Sequence, residues 1–119
     1  MSDPVVIWHN PRCSKSRETL KLLEAEGVKP EIVEYLKTPP ALAEIKRVLS
    51  VLGVEARGLM RTKEARYKEL GLGGKDVAEG ALVAAMAENP ILIERPVVLQ
   101  GGRAALGRPP ESVLAIIER

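Results

Sequence analysis

The stretch His9-Asn10-Pro11-Arg12-Cys13-Ser14-Lys15-Ser16-Arg17 holds the chain's one cysteine and its one histidine. A thiol is a nucleophile only as thiolate, which is favoured beside cations and at a helix N-terminus, where unpaired backbone N–H groups point outward. Arg12, Lys15 and Arg17 bring positive charge nearby, and Asn10-Pro11 marks a turn just ahead of the cysteine. A solitary cysteine can equally be a small buried hydrophobe, so its setting decides. Backbone N–H groups at a helix start, with the Ser14 and Ser16 hydroxyls, also suit an oxyanion such as phosphate or an analogue of it. A tyrosine-phosphatase-like loop is disfavoured, because the arginine it would need at position 19 is absent and Thr19 stands there. Cys13-Ser14-Lys15-Ser16 has the CxxS form, so no second thiol follows to resolve a disulfide, and turnover through Cys13 requires a thiol from outside. One Cys and one His fall short of a structural zinc site, and no metal is expected.

Val5-Val6-Ile7-Trp8 is a short apolar run rich in β-branched residues and reads as a buried strand, which puts Cys13 just past its C-terminal end. From Ser14 to Glu26 the residues favour helix, with Leu20 and Leu23 on one side and Gly27 as the stop. A second strand is expected over Glu31 to Tyr35, and strand–helix–strand in this length implies a parallel crossover. Thr38-Pro39-Pro40 has the form of an N-cap with helix-opening prolines. Leu42, Ile45, Val48, Leu49 and Leu52 then trace an amphipathic helix closed by Gly53. Between Val54 and Lys75 the pattern weakens into an irregular helical insert. Asp76-Val77-Ala78-Glu79 resembles a capping box for a helix faced by Ala78, Leu82, Ala85 and Met86 and stopped at Asn89-Pro90. Pro96 to Leu99 and Arg103 to Leu106 form a hairpin around Gly101-Gly102. Pro109-Pro110-Glu111 opens a final helix buried through Val113, Ile116 and Ile117. The expected architecture is α/β: a small mixed sheet flanked by helices.

At 119 residues the chain suits one domain spanning residues 1–119. Lys and Arg total 18 against 16 for Asp and Glu, a net +2 spread along the chain, which does not suggest the clustered basic face of a nucleic-acid binder. Aromatic residues are 3% with no Phe, so base stacking is also disfavoured. Val5 to Trp8 is too short for a signal peptide's apolar region and no later segment approaches a membrane span, so a cytoplasmic protein is expected.

The segments "IWHNPRCSKSRETL", "EYLKTPP", "LMRTKE", "YKELGL", "NPILIERPVV" and "LGRPPESV" resemble, in order and spacing over nearly the whole chain, the glutaredoxin-linked arsenate reductases of thioredoxin-like fold. The resemblance implies that Cys13 is the nucleophile and that Arg61, Arg95 and Arg108 hold arsenate and its reduced adduct. A tetrahedral oxyanion does need several donors, and Arg offers a permanently charged fork. It implies a thiolate-stabilising role for His9, whose alternative is to hydrogen-bond or pack in the turn. Asn10 would cap the loop or bond its backbone. Pro96 corresponds to a pre-strand proline that is cis in this fold. The partners implied are arsenate, glutathione as co-substrate and glutaredoxin, with no tightly bound cofactor. Two rivals remain: a relative inactive on arsenate that works on another thiol or oxyanion, and an RNA-polymerase-binding regulator, though Ser16 argues against the CxxC switch such regulators carry.

Overall fold

Val5, Val6, Ile7 and Trp8 pleat into strand β1 (Val5–Trp8), as β-branched and aromatic side chains favour on a buried sheet. The computed structural model describes residues 3–117. Its contacts group the chain into two units. One takes the chain up to Thr38 and again from Arg95, and the other is Pro39–Glu94.

In the first unit β1 leads through a loop into helix α1 (Ser14–Ala25) and then into β2 (Glu31–Val33), parallel to β1 with Ile7 opposite Ile32. The hairpin β3 (Val97–Gln100) and β4 (Arg103–Leu106) follows, as Gly101-Gly102 predicted. β3 lies antiparallel to β1 with Val97 opposite Trp8, giving the order β2-β1-β3-β4. This is the thioredoxin-like mixed sheet that the motifs implied. Val5, Ile7, Leu23, Val98 and Val113 form its buried core, joined by Leu20, Val28, Ala105, Ile116 and Ile117. The peptide bonds Arg95–Pro96 and Arg108–Pro109 are both cis.

β2 stops at Val33, two residues short of the expected end, because Lys37 N–H and Thr38 N–H both donate to Glu34 O at 2.9 Å and curl the chain. The expected last helix is a 3-10 segment, Pro110–Ile116. Neither Pro109 nor Pro110 has an N–H, and Ser112 N–H donates to Pro109 O, three residues back, at 3.0 Å. The tighter winding stacks residues three apart, which puts Val113 and Ile116 on the same side.

In the second unit helix α2 (Leu42–Leu52) buries Ile45, Val48 and Leu49. Ala41, not Thr38, precedes it. A proline disfavours helical backbone in the residue before it, so Pro40 keeps Pro39 extended and the helix starts only after the pair. Gly53 closes α2 in the left-handed region at φ 70°, a C-cap geometry that glycine adopts without steric cost. The insert contains a 3-10 turn at Ala56–Leu59 and a short helix α3 (Ala65–Glu69). Arg57 ties it together, donating to Leu72 O at 2.8 Å, Gly74 O at 2.7 Å and Tyr67 Oη at 3.2 Å. Helix α4 (Glu79–Glu88) begins after Ala78, and the capping box does not form. The Glu79 carboxylate instead accepts from Ala56 N–H at 2.6 Å. Among the described residues no helix is long and apolar enough to cross a membrane.

Candidate active site

β1 delivers the chain to the cysteine. His9 N–H donates to Val33 O at 2.8 Å, prolonging the pairing with β2 by one bond, and Asn10 then organises the turn. Its carbonyl accepts from Cys13 N–H at 3.0 Å, and its side-chain Oδ1 accepts from Arg12 N–H at 3.0 Å. Its own N–H donates to Ser16 Oγ at 3.0 Å. A short amide side chain can mimic a turn of backbone in this way. Cys13 is left extended at φ −94°, ψ 124°, as the residue capping α1, and 8% exposed. Ser14 is the exposed first residue of the helix.

Burial pushes the Cys13 thiol up, yet its pKa is lowered from 9.0. Opposing burial are the backbone N–H of Ser16, the charge of Arg95, the backbone N–H of Lys15 and a hydrogen bond from Arg95. All of these stabilise the anion, the first-turn N–H groups because the helix leaves them without internal partners. Arg108 adds a second guanidinium, with Nη2 3.9 Å from Cys13 Sγ and Nε donating to Arg95 O at 2.8 Å. Two of the cations near in sequence are engaged elsewhere. Arg17 Nη1 donates to Pro11 O at 2.9 Å, and Lys15 faces Glu18 at 3.7 Å. Arg61 belongs to the second unit, where its Nη1 pairs with Glu64 Oε2 at 2.9 Å.

His9 is 7% exposed and lies with Nδ1 2.6 Å from Ser16 Oγ, while Ser16 is fully buried. Burial lowers the imidazole pKa from 6.5, the Glu34 charge opposes this and the Arg17 charge adds to it. Ser16 Oγ thus pairs with His9 Nδ1, in whichever direction the imidazole tautomer sets, and accepts from Asn10 N–H. His9 therefore braces the loop through Ser16, and its burial disfavours the imidazolium form.

Two residues of this neighbourhood were not expected as site residues, although both lie in segments that carry the family resemblance. Gly107 N–H donates to Pro96 O at 2.9 Å, and Thr19, fully buried on α1, donates to Lys15 O at 2.8 Å. Neither belongs to a chemical motif, and their closeness depends on β4 returning to α1. Among the described residues no group of three or more His, Cys, Asp or Glu side chains could hold a metal ion.

Fold and site together define a class: a thioredoxin-like protein with one acidified thiol at a strand-to-helix junction and two guanidinium groups beside it. The chain belongs to the ArsC family, whose model matches residues 8–116. It is 54% identical over 118 residues to the uncharacterized protein YfgD of Escherichia coli strain K12, covering 98% of this chain and 99% of that one. It is 51% identical over 114 residues to an arsenate reductase of Neisseria meningitidis serogroup A, covering 95% and 97%. Among solved structures it is similar to an arsenate reductase from Vibrio cholerae, with a TM-score of 0.95 and 54% identity over 98% of this chain and 100% of that one.

Proposed function

We propose that this protein is a cytoplasmic arsenate reductase that uses Cys13 as its single nucleophile and draws electrons from glutathione and glutaredoxin. The observation that carries this reading is the placement of Cys13 Sγ at the start of α1 with Arg95 and Arg108 beside it. The family and the relatives named arsenate reductase support the substrate.

In the proposed reaction the Cys13 thiolate attacks arsenic(V), and one arsenate oxygen leaves as water. A sulfur–arsenic bond forms, while Arg95 and Arg108 offset the negative charge on the remaining oxygens. A glutathione thiol then joins the adduct, and glutaredoxin supplies the thiol that completes the two-electron transfer. Overall, arsenate and two thiols become arsenite, one disulfide and water. Asn10 and Ser16, with His9 behind Ser16, hold the loop so that the Lys15 and Ser16 N–H groups face the sulfur.

A glutathione- and glutaredoxin-coupled assay with arsenate tests the reading. Cys13→Ser is expected to keep the fold and lose turnover, and normal activity in Cys13→Ala would overturn the assignment of the nucleophile. Mass spectrometry after incubation with arsenate and glutathione is expected to find an adduct on Cys13.

A further inference from the structure

The two guanidinium groups at the thiol come from separate segments, one just before β3 and one just after β4, and something must hold both in place against α1. Two hydrogen bonds join the segments: Gly107 N–H to Pro96 O at 2.9 Å and Arg108 Nε–H to Arg95 O at 2.8 Å. Gly107 itself is buried in a space with no room for a side chain. A methyl group built on it would stand 2.5 Å from Thr19 Oγ1, 2.6 Å from Pro96 Cγ and 3.1 Å from Pro96 Cδ. Thr19 has little freedom to yield, since it is fully buried and its hydroxyl is bonded to Lys15 O at 2.8 Å. Pro96 has little more, since its ring restricts it and its carbonyl takes the Gly107 bond. A side chain at position 107 must therefore push the joined pair of segments away from α1. Gly107 is not among the chain's positive-φ glycines, so close approach, not backbone conformation, is what calls for glycine here.

We propose that Gly107 is a positioning residue: its bare Cα lets the Arg95-Pro96 and Gly107-Arg108 segments close on Thr19 of α1, which sets both guanidinium groups on Cys13 Sγ. The inference deepens the proposed arsenate reaction by naming what assembles its oxyanion ligands. It also makes a claim about the thiol that holds whatever the substrate.

The test is Gly107→Ala, with Gly102→Ala in the hairpin turn as control, since a methyl there meets nothing within 4 Å. Alkylation of Cys13 by a neutral haloacetamide, followed against pH on protein shown to be folded by circular dichroism, reads the thiolate without any arsenate. In Gly107→Ala the midpoint is expected to move up, with alkylation about threefold or more slower on the acid side of the curve. Gly102→Ala is expected to follow the parent protein. In the coupled assay Gly107→Ala is expected to raise KM for arsenate about tenfold or more, since misplaced donors weaken oxyanion binding. The double variant Thr19→Ala/Gly107→Ala removes one of the two obstructing groups and is expected to fall between the parent and the single variant.

A folded Gly107→Ala with the parent's alkylation curve would overturn the proposal, even if its melting temperature fell, because a merely structural role would do only that. Where the single variant does not fold, the double variant decides, and a parent-like curve in it overturns the proposal as well. Should the parent protein fail to reduce arsenate while Gly107→Ala still shifts the alkylation curve, the substrate assignment falls and the positioning role stands.

Discussion

Burial opposes ionisation at Cys13, and two backbone N–H groups with Arg95 outweigh it. Replacing Arg95 by Met removes a charge and a hydrogen bond while keeping an unbranched chain, so the alkylation midpoint of Cys13 is expected to rise toward 9.0. Ser16→Ala would strand two groups at once, the buried His9 Nδ1 and the part-buried Asn10 N–H. Chemical denaturation is expected to find a loss of about 1–3 kcal/mol, the usual cost of leaving a buried polar partner unsatisfied. His9 adds a pH dependence of stability. Its folded pKa lies below the unfolded value of 6.5, so between the two the unfolded chain binds more protons and stability falls as pH falls. Unfolding free energies measured downward from pH 6.5 are expected to decline less steeply in His9→Gln than in the parent protein.

Helix α1 links these residues into one element: its first turn faces the sulfur, and its buried positions Ser16, Thr19 and Leu23 face the loop, the 107 segment and the core in turn. In the second unit, α2 ends on Gly53 at φ 70° with nothing within 4 Å of a built Cβ. The cost of Gly53→Ala is therefore one of backbone conformation alone, about 1–2 kcal/mol in thermal or urea unfolding. Arg57 bonds two carbonyls and a phenol oxygen across the turns of the insert. Arg57→Met is expected to lose about 1–3 kcal/mol and to speed amide exchange across residues 70–77, where the loop loses its tie.

For the molecule as a whole, a single thiol in 119 residues limits what it can do unaided. Arsenate reduction takes two electrons, and in the proposed reaction a cysteine delivers them by forming a disulfide with another thiol. Under the proposed function, protein mixed with excess arsenate and no added thiol is expected to yield no more than about one arsenite per two chains. A higher yield, measured by arsenic speciation, would show an electron source other than disulfide formation between chains. Added glutathione and glutaredoxin are expected to convert that stoichiometric yield into turnover.

Where a pattern was local, the sequence sufficed to read it. The apolar run of β1, the Leu20–Leu23 face of α1, the periodic face of α2 and the glycine turn between β3 and β4 each depend on residues within a few positions. The end of β2, the start of α2 and the winding of Pro110–Ile116 were not legible, because carbonyl capping and adjacent prolines overrode propensity there. The sequence by itself determined that these 119 residues hold one thiol, that the thiol lies between a strand and a helix, and that no second cysteine among them can pair with it. It did not determine which cations acidify it. Arg12, Lys15 and Arg17 are near in the chain, but a helix turns neighbouring side chains in different directions, and Lys15 and Arg17 find other partners. Arg108 stands 95 positions from Cys13 and reaches the sulfur only because β3 pairs with β1, β4 returns beside β3, and Gly107 lets the returning chain close on Thr19. Such proximity is a property of sheet pairing and packing, which only the tertiary structure decides.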